Sequence, residues 1–276
     1  MKKLNIFLLL LLNLAFTACE DVIDVDVAAG KRALVVEGWL TNKPENHFVK
    51  LYYTKGTSRE SAYPALSNAT VTLRDNLNNS EVLTEVSPGK YQISNLKSVE
   101  GRTYTLSVVS PEGSYEAVAS CQRMCMVPDS ITFKYEKKST IYEHEGYYPR
   151  IFGQELEGVG DFGQIKLYRD GKYMNSANDF NLFKDEFVDG NYITNVELAV
   201  YRPFQKGEVV KAEIWSLTED AFRFLTDIQI QLQNGQIFAS PLENARTNIQ
   251  KKSANATDVV GYFGTSLVSS VEKEVK

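Results

Sequence analysis

From Ala33 onward the chain alternates apolar and polar residues in short runs, cut by turn residues at about 8 to 12 residue intervals, a spacing that suits strands and leaves little room for helices. Leu34-Val35-Val36-Glu37-Gly38-Trp39-Leu40 and Phe48-Val49-Lys50-Leu51-Tyr52-Tyr53 flank the turn cluster Asn42 to Asn46. Ala69 to Leu73, Glu81 to Val86, Tyr91 to Ile93 and Thr103 to Val108 follow, divided by Asp75 to Asn79 and by Pro88-Gly89. Val71/Leu73, Tyr104/Leu106/Val108 and Tyr115/Ala117/Ala119 each put their apolar members on one face. The pattern predicts an N-terminal immunoglobulin-like or transthyretin-like β-sandwich over residues 33–124.

A boundary falls near Val127-Pro128, and a second β-rich domain, residues 125–276, is expected beyond it. Strands are expected at Ser130 to Tyr135, Gln164 to Tyr168, Thr194 to Tyr201 and Val209 to Trp215, with Arg169-Asp170-Gly171-Lys172 as a hairpin turn. The period then changes. Phe222, Leu225, Ile228 and Leu232 recur at helical spacing behind Glu219-Asp220, which predicts one amphipathic helix at about 218–233, capped by Thr218 and stopped by Gly235. Pro241 to Ala256 reads as a polar loop, and Val259 to Phe263 with Thr265 to Val271 as a last pair of strands. The fold class expected is mainly β.

Residues 1–18 follow a different grammar: Lys2 and Lys3, an apolar run from Ile6 to Leu14 broken by Asn13, then Thr17-Ala18. This is the order of a secretory signal, and the run is too short for the roughly 20 residues that span a bilayer as a helix. Phe16-Thr17-Ala18-Cys19 resembles a lipobox, the signal for lipid attachment to a cysteine thiol, so Cys19 is the expected lipidation site and the bilayer a partner through its acyl chains. An ordinary secreted protein is the competing reading. Residues 19–32 form an acidic tether, Glu20-Asp21-Val22-Ile23-Asp24-Val25-Asp26 leading to Gly30. Acidic residues at that place also resemble the surface-export signal of Bacteroidota lipoproteins, which implies the outward face of the outer membrane; a plain solvated linker competes.

Without Lys2 and Lys3 the remaining 258 residues carry 28 basic against 35 acidic side chains, formally −7, which argues against nucleic acid as a partner. Of 31 aromatic residues, 15 are tyrosine, as suits β-rich extracellular proteins that use one amphipathic ring for packing and contact. Cys121 and Cys125 leave three readings open: a disulfide, two buried free thiols, or a metal site. Fully extended, the pair would stand roughly 13 Å apart, against a limit of ~7 Å, so bonding requires a turn at Gln122-Arg123-Met124. A metal site would need further ligands that the neighbouring sequence lacks.

Motifs for chemistry are few. Gly158-Val159-Gly160-Asp161-Phe162-Gly163 matches the dinucleotide fingerprint by letter, but Ile165 to Tyr168 after it reads as a strand where the motif needs a helix N-terminus, so it is read as a connection between strands. The only histidines are His47, in a turn cluster, and His144, too few for a triad or a histidine metal cluster. Glu143-His144-Glu145-Gly146-Tyr147-Tyr148 is read as a surface loop, with a weak metal or glycan contact as the alternative. Asp179, Asp185, Glu186 and Asp189 are read as chance acidic neighbours, not a hydrolytic pair. Tyr147, Tyr148, Phe152 and Phe162 are candidate exposed aromatics. Asp129-Ser130-Ile131 resembles a Bacteroidota O-glycosylation site, which makes Ser130 a candidate against the reading of a strand-start turn. No catalytic residue, metal site or cofactor is expected.

Cys19 to Asp24, Leu34 to Leu40, Ala69 to Leu73, Gly101 to Leu106, Pro128 to Ile131, Lys184 to Gly190, Trp215 to Leu225 and Gly261 to Phe263 together resemble one uncharacterised family of Bacteroidota surface lipoproteins encoded beside TonB-dependent outer-membrane receptors. The resemblance implies a non-enzymatic binding or gating accessory to a receptor barrel in nutrient uptake, with ligand unspecified. Cys121 and Cys125 depart from the family pattern, as does a proline-poor loop before Gly261. A structural or adhesive surface-assembly subunit of fimbrial type is the alternative; such precursors lose an N-terminal segment at a basic site, for which Lys31-Arg32 would serve.

Overall fold

Strands expected in the first region form because their apolar positions recur every second residue and can be buried on one side. The computed structural model describes residues 31–55, 62–234 and 243–276; the leader, Cys19, the tether through residue 30, Gly235 and Pro241 lie outside the described residues. The described residues from Arg32 onward form one compact unit. In chain order the strands are β1 (Leu34–Thr41), β2 (His47–Tyr53), β3 (Thr70–Asp75), β4 (Ser80–Val82), β5 (Thr84–Ser87), β6 (Lys90–Ile93), β7 (Thr103–Ser110) and β8 (Gly113–Ser120). They continue as β9 (Met126–Glu136), β10 (Gly146–Glu155), β11 (Phe162–Arg169), β12 (Lys172–Tyr173), β13 (Asn181–Lys184), β14 (Tyr192–Glu197) and β15 (Val209–Leu217). Helix α1 (Glu219–Gln233) precedes β16 (Ile249–Lys251), β17 (Val259–Ser266) and β18 (Val268–Glu274), and a 3-10 turn spans Ala177–Asp179.

Two sheets, ordered β17-β1-β2-β6-β5 and β16-β8-β7-β3-β4, enclose the first core. Leu34, Val36 and Leu40 point inward from β1 and meet Val71, Leu73, Leu106 and Phe263 from other strands of that core. Tyr91, Tyr104 and Tyr115 are also fully buried, and each phenol reaches a backbone partner. Tyr104 Oη donates to the Lys97 carbonyl at 2.6 Å and accepts from Val99 N at 3.0 Å, fixing the link between β6 and β7. Tyr115 Oη donates to the Thr257 carbonyl at 3.2 Å, and Tyr91 Oη accepts from Ala69 N at 3.0 Å. Tyrosine here is mainly a core residue whose polar tip satisfies a loop.

The second core lies between the sheet β14-β10-β9 and the sheet β12-β11-β15-β18, with β13 beside β11. The β11-β12 hairpin turns at Asp170 and Gly171, whose positive φ values of 48° and 77° suit a tight two-residue connection. Val259 to Phe263 and Thr265 to Val271 do form strands, but they are not partners of each other. β17 runs parallel to β1, from Leu34 opposite Val259 to Thr41 opposite Ser266, whereas β18 runs antiparallel to β15. The reason is where each can bury apolar surface: Phe263 fills the first core, while Val271 and Val275 pack in the second. Together with β16, which pairs β8, the 249–266 segment completes the sandwich expected to end at residue 124.

Cys121 and Cys125 are both free thiols, not a disulfide. The intervening residues carry the chain out of one sandwich and into the other, so Cys121 packs in the first core and Cys125 in the second. Burial pushes the Cys121 thiol up to about 11 and the Cys125 thiol up to about 12.

Helix α1 begins where its sequence signals placed it. Thr218 Oγ1 accepts from Ala221 N at 3.2 Å, and Glu219 and Asp220 occupy the positive end of the helix dipole. Its apolar stripe is only half used. Ala221, Phe222 and Leu225 pack with Trp39, Phe162, Leu182 and Tyr262 at the junction of the sandwiches, whereas Leu232 remains 53% exposed. Among the described residues no helix is long and apolar enough to cross a membrane.

Candidate functional site

A polar cluster at the junction of the sandwiches is centred on Glu213. Glu213 on β15 is 1% exposed, and its carboxylate takes Lys43 Nζ at 2.8 Å, Lys211 Nζ at 2.7 Å, Trp215 Nε1 at 3.0 Å and Tyr168 Oη at 2.9 Å. Burial alone would raise this acid; the lysines and the indole outweigh it and hold it down at about 2. Lys166 keeps some surface exposure, but its ammonium lies 3.3 Å from the Trp215 ring centroid and 5.9 Å from that of Trp39, and burial brings it down to about 7. Trp39 fits there because Gly264 lies opposite it: a Cβ on Gly264 would approach the indole to 2.7 Å. The whole cluster reads as a joint between sandwiches.

A concave site lies elsewhere, a cleft of about 530 Å³ lined by Tyr142, His144, Tyr148, Phe180, Glu197 and Tyr201 together with Asn178, Gln229 and Gln233. Its volume is in the range of small-ligand sites. Four chain-distant segments build it: the β9-β10 connection, the 3-10 turn, the end of β14 with the residues after it, and the exposed side of α1. Tyr142 and Tyr148 pack at 4.6 Å between ring centroids, and the His144 ring stands edge-on to Tyr201 at 5.9 Å. Tyr148 Oη donates to the His144 carbonyl at 2.7 Å. Tyr142 Oη donates to both Glu197 oxygens at 3.2 Å, and Arg150 Nη2 meets the same carboxylate at 2.9 Å. Burial, with Glu197 adding to it, raises the Tyr142 phenol above its ordinary range.

Buried Asp179 sets the far wall. It accepts from Tyr201 N at 2.7 Å and from Ser176 N at 3.0 Å, which fixes the turn carrying Asn178 and Phe180. Gln229 Nε2 donates to the Phe180 carbonyl at 3.2 Å and ties α1 to that turn. Aromatic faces with amides and carboxylates around them suit stacking on a flat or ring-shaped ligand and hydrogen bonding at its rim. The lining holds one imidazole and no Ser, Thr, Cys or Lys side chain; its hydroxyl beside a carboxylate is the Tyr142 phenol on Glu197.

Several sequence expectations change here. Residues Gly146 to Tyr148 open β10 and are not loop, while Glu143 and Glu145 are exposed ahead of it. Tyr148 is 8% exposed, and Phe162 packs on Phe222 at 5.0 Å, so neither is a free surface aromatic; Tyr147 and Phe152 are partly buried as well. His47 is buried at the start of β2, with Nε2 2.6 Å from Thr41 Oγ1. Burial lowers its basicity. Ser130 is half-buried inside β9 opposite Phe152, and Asp129 accepts from Tyr192 Oη at 2.7 Å, so the triplet does not start the strand. Of the Gly158 to Gly163 motif, Gly158 to Asp161 connect β10 to β11, and Phe162 and Gly163 open β11 itself. Asp185 Oδ2 accepts from Gly160 N and Asp161 N, at 2.8 and 3.0 Å, and Asp189 accepts from Gly158 N at 2.6 Å. Those acids are not chance neighbours.

No curated protein is significantly similar to the chain. Among solved structures, a two fibronectin type-III domain segment from chicken tenascin is similar at 16% identity over 68% of this chain and 92% of that one, with a TM-score of 0.22 that adds nothing to what the strands themselves show. A family described as a domain of unknown function, DUF4249, matches residues 20–272, nearly everything after Cys19. The chain belongs to the DUF4249 family.

Proposed function

We propose that this protein is an outer-membrane lipoprotein of Bacteroidota type, anchored by acyl chains on Cys19 and displayed outward, that serves a TonB-dependent uptake system as a non-enzymatic binding component. The observation that carries the binding role is the tyrosine-lined cleft, with its stacking faces and amide rim. The anchor rests on the leader and Phe16-Thr17-Ala18-Cys19, and the family match beginning at residue 20 is consistent with a mature chain that starts at that cysteine. Cargo would stack between Tyr142 and Tyr201 and be handed to the receptor barrel.

The test is affinity purification of the native protein from outer membranes, with mass spectrometry of the N-terminal peptide. Recovery of an acylated Cys19 peptide with a receptor barrel is the expected result. A protein that brings down no barrel refutes the uptake role. One observation favours a surface-assembly subunit instead: the Arg32 side chain is 56% exposed and β1 begins two residues later, so a protease could cut beside it without entering the sandwich. A mature chain starting at Ala33 would establish that reading.

A further inference from the structure

Glu155, at the end of β10, is 1% exposed, and its two oxygens are treated unequally. Oε2 accepts from Gly190 N at 2.5 Å, whereas Oε1 is buried with no hydrogen-bond partner among the described residues. A buried carboxylate oxygen without a donor is costly unless something else meets it. Two more buried carboxylates converge on it. Glu155, Asp161 and Asp185 each bring an oxygen within 4.8 Å of the others.

The other two acids repeat the division of labour. Asp161 Oδ2 is held by Arg123 Nη2 at 2.6 Å, and Asp185 Oδ2 by Gly160 N and Asp161 N. Each carboxylate thus spends one oxygen on the protein, which orients it, and leaves the second outside the hydrogen bonds of the described residues. Oriented ligands with a supporting outer layer are how metal sites are built. Arg123 also donates to the carbonyls of Leu156, Glu157 and Gly158 at 2.9, 2.9 and 2.6 Å, so it fastens the loop while it holds Asp161. One guanidinium against three carboxylates leaves the cluster negative, and Asp189 adds to this. Burial first, and the neighbouring acids with it, raise Glu155 above the ordinary carboxylate range; Asp161 is raised too, mainly by burial and in part by Asp185.

We propose that Glu155, Asp161 and Asp185 form a Ca²⁺ site that ties the 156–161 connection to the 185–190 loop. The donor set is all oxygen, which selects a hard cation over zinc or copper. Three converging carboxylates suit Ca²⁺, which accepts irregular, flexible oxygen cages and completes its shell with water, whereas Mg²⁺ demands near-ideal octahedral geometry and is held by one or two carboxylates. The site is independent of the tyrosine-lined cleft and of the membrane anchor.

The experiment uses the full-length chain in detergent, stripped with a chelator, titrated with CaCl₂ by calorimetry and melted with and without the ion. One site per chain and a rise in Tm of about 5 °C at a hundredfold excess over Kd are expected. Glu155→Gln should abolish the binding heat and the Tm response while melting no lower than wild type in chelator, since it removes an unmatched buried charge. On the wild-type chain, which needs no variant to fold, Ca²⁺ should slow proteolysis within residues 156–161 and 185–190 at least threefold. Absence of binding heat with an unchanged Tm overturns the proposal, as does a Glu155→Gln protein that titrates like wild type.

Discussion

Replacing Glu213 by glutamine keeps the shape of the side chain and removes the charge that Lys43 and Lys211 share. A carboxyl held at about 2 in place of its ordinary 4.5 is stabilised by about 3 kcal/mol at pH 7, at ~1.36 kcal/mol for each pH unit. Lys43 and Lys211 are 17% and 32% exposed, and water around them screens the pair, so about 2 kcal/mol is the figure to expect for the variant. For a chain of this size that corresponds to a fall in Tm of roughly 4 to 8 °C. The sign with pH follows from the depressed value. The contribution is complete above the unfolded carboxyl near 4.5 and drains away as pH falls toward 2, with under about half left at pH 3. Thermal melts of wild type and Glu213→Gln at pH 7, 5 and 3 measure this directly. A variant melting within 1 °C of wild type at pH 7, or a gap that stays constant down to pH 3, would refute the account of the joint.

Other outcomes follow from the same geometry. Tyr104→Phe should cost about 1 kcal/mol in urea unfolding, because it removes the phenol's part-buried hydrogen bonds with the Val99 N–H and the Lys97 carbonyl. Cys121 and Cys125 should resist a maleimide at pH 8 in the native protein and react within minutes in denaturant; fast labelling of the native chain would contradict their burial. Thr218→Ala should lower stability by about 1 kcal/mol through loss of the cap on α1, read as a shift in the denaturation midpoint at constant slope.

Strand positions with clean alternation, such as β1, β2, β7 and β8, were legible from local pattern, as was α1 from its cap and period. β10 was not. It is the middle strand of its sheet, yet Gly146, Pro149 and Gly153 give it the composition of a turn, and Pro149 is tolerated because it lies just past the Arg150–Gln154 run paired with β14, where a missing N–H breaks no rung of that ladder. β16 is three residues long and owes its existence to β8, so no local signal marks it. The partners of β17 and β18 were hidden for a different reason: alternation tells which face is buried, not against which sheet. The cleft gathers residues 141 to 148, 177 to 180, 197 to 201 and 229 to 233, and only Glu143, His144 and Tyr148 among its lining stood out beforehand. Glu155 gave no signal at all, since nothing in a strand-end glutamate foretells that one oxygen will be buried alone.

The parallel pairing of β1 with β17 also sets a timetable for synthesis. The first sandwich holds its strands β1 to β8 by residue 120, but the edge of β1 stays open until residue 266 has been made, 146 residues later. At ~5 to 20 residues per second the ribosome takes roughly 7 to 30 s over that interval. Throughout it the nascent chain carries an unsealed strand edge and an unfilled place for Phe263, so the first sandwich cannot close before most of the second has been made. A first strand that waits for a partner made so much later leaves its sandwich unsealed through most of synthesis.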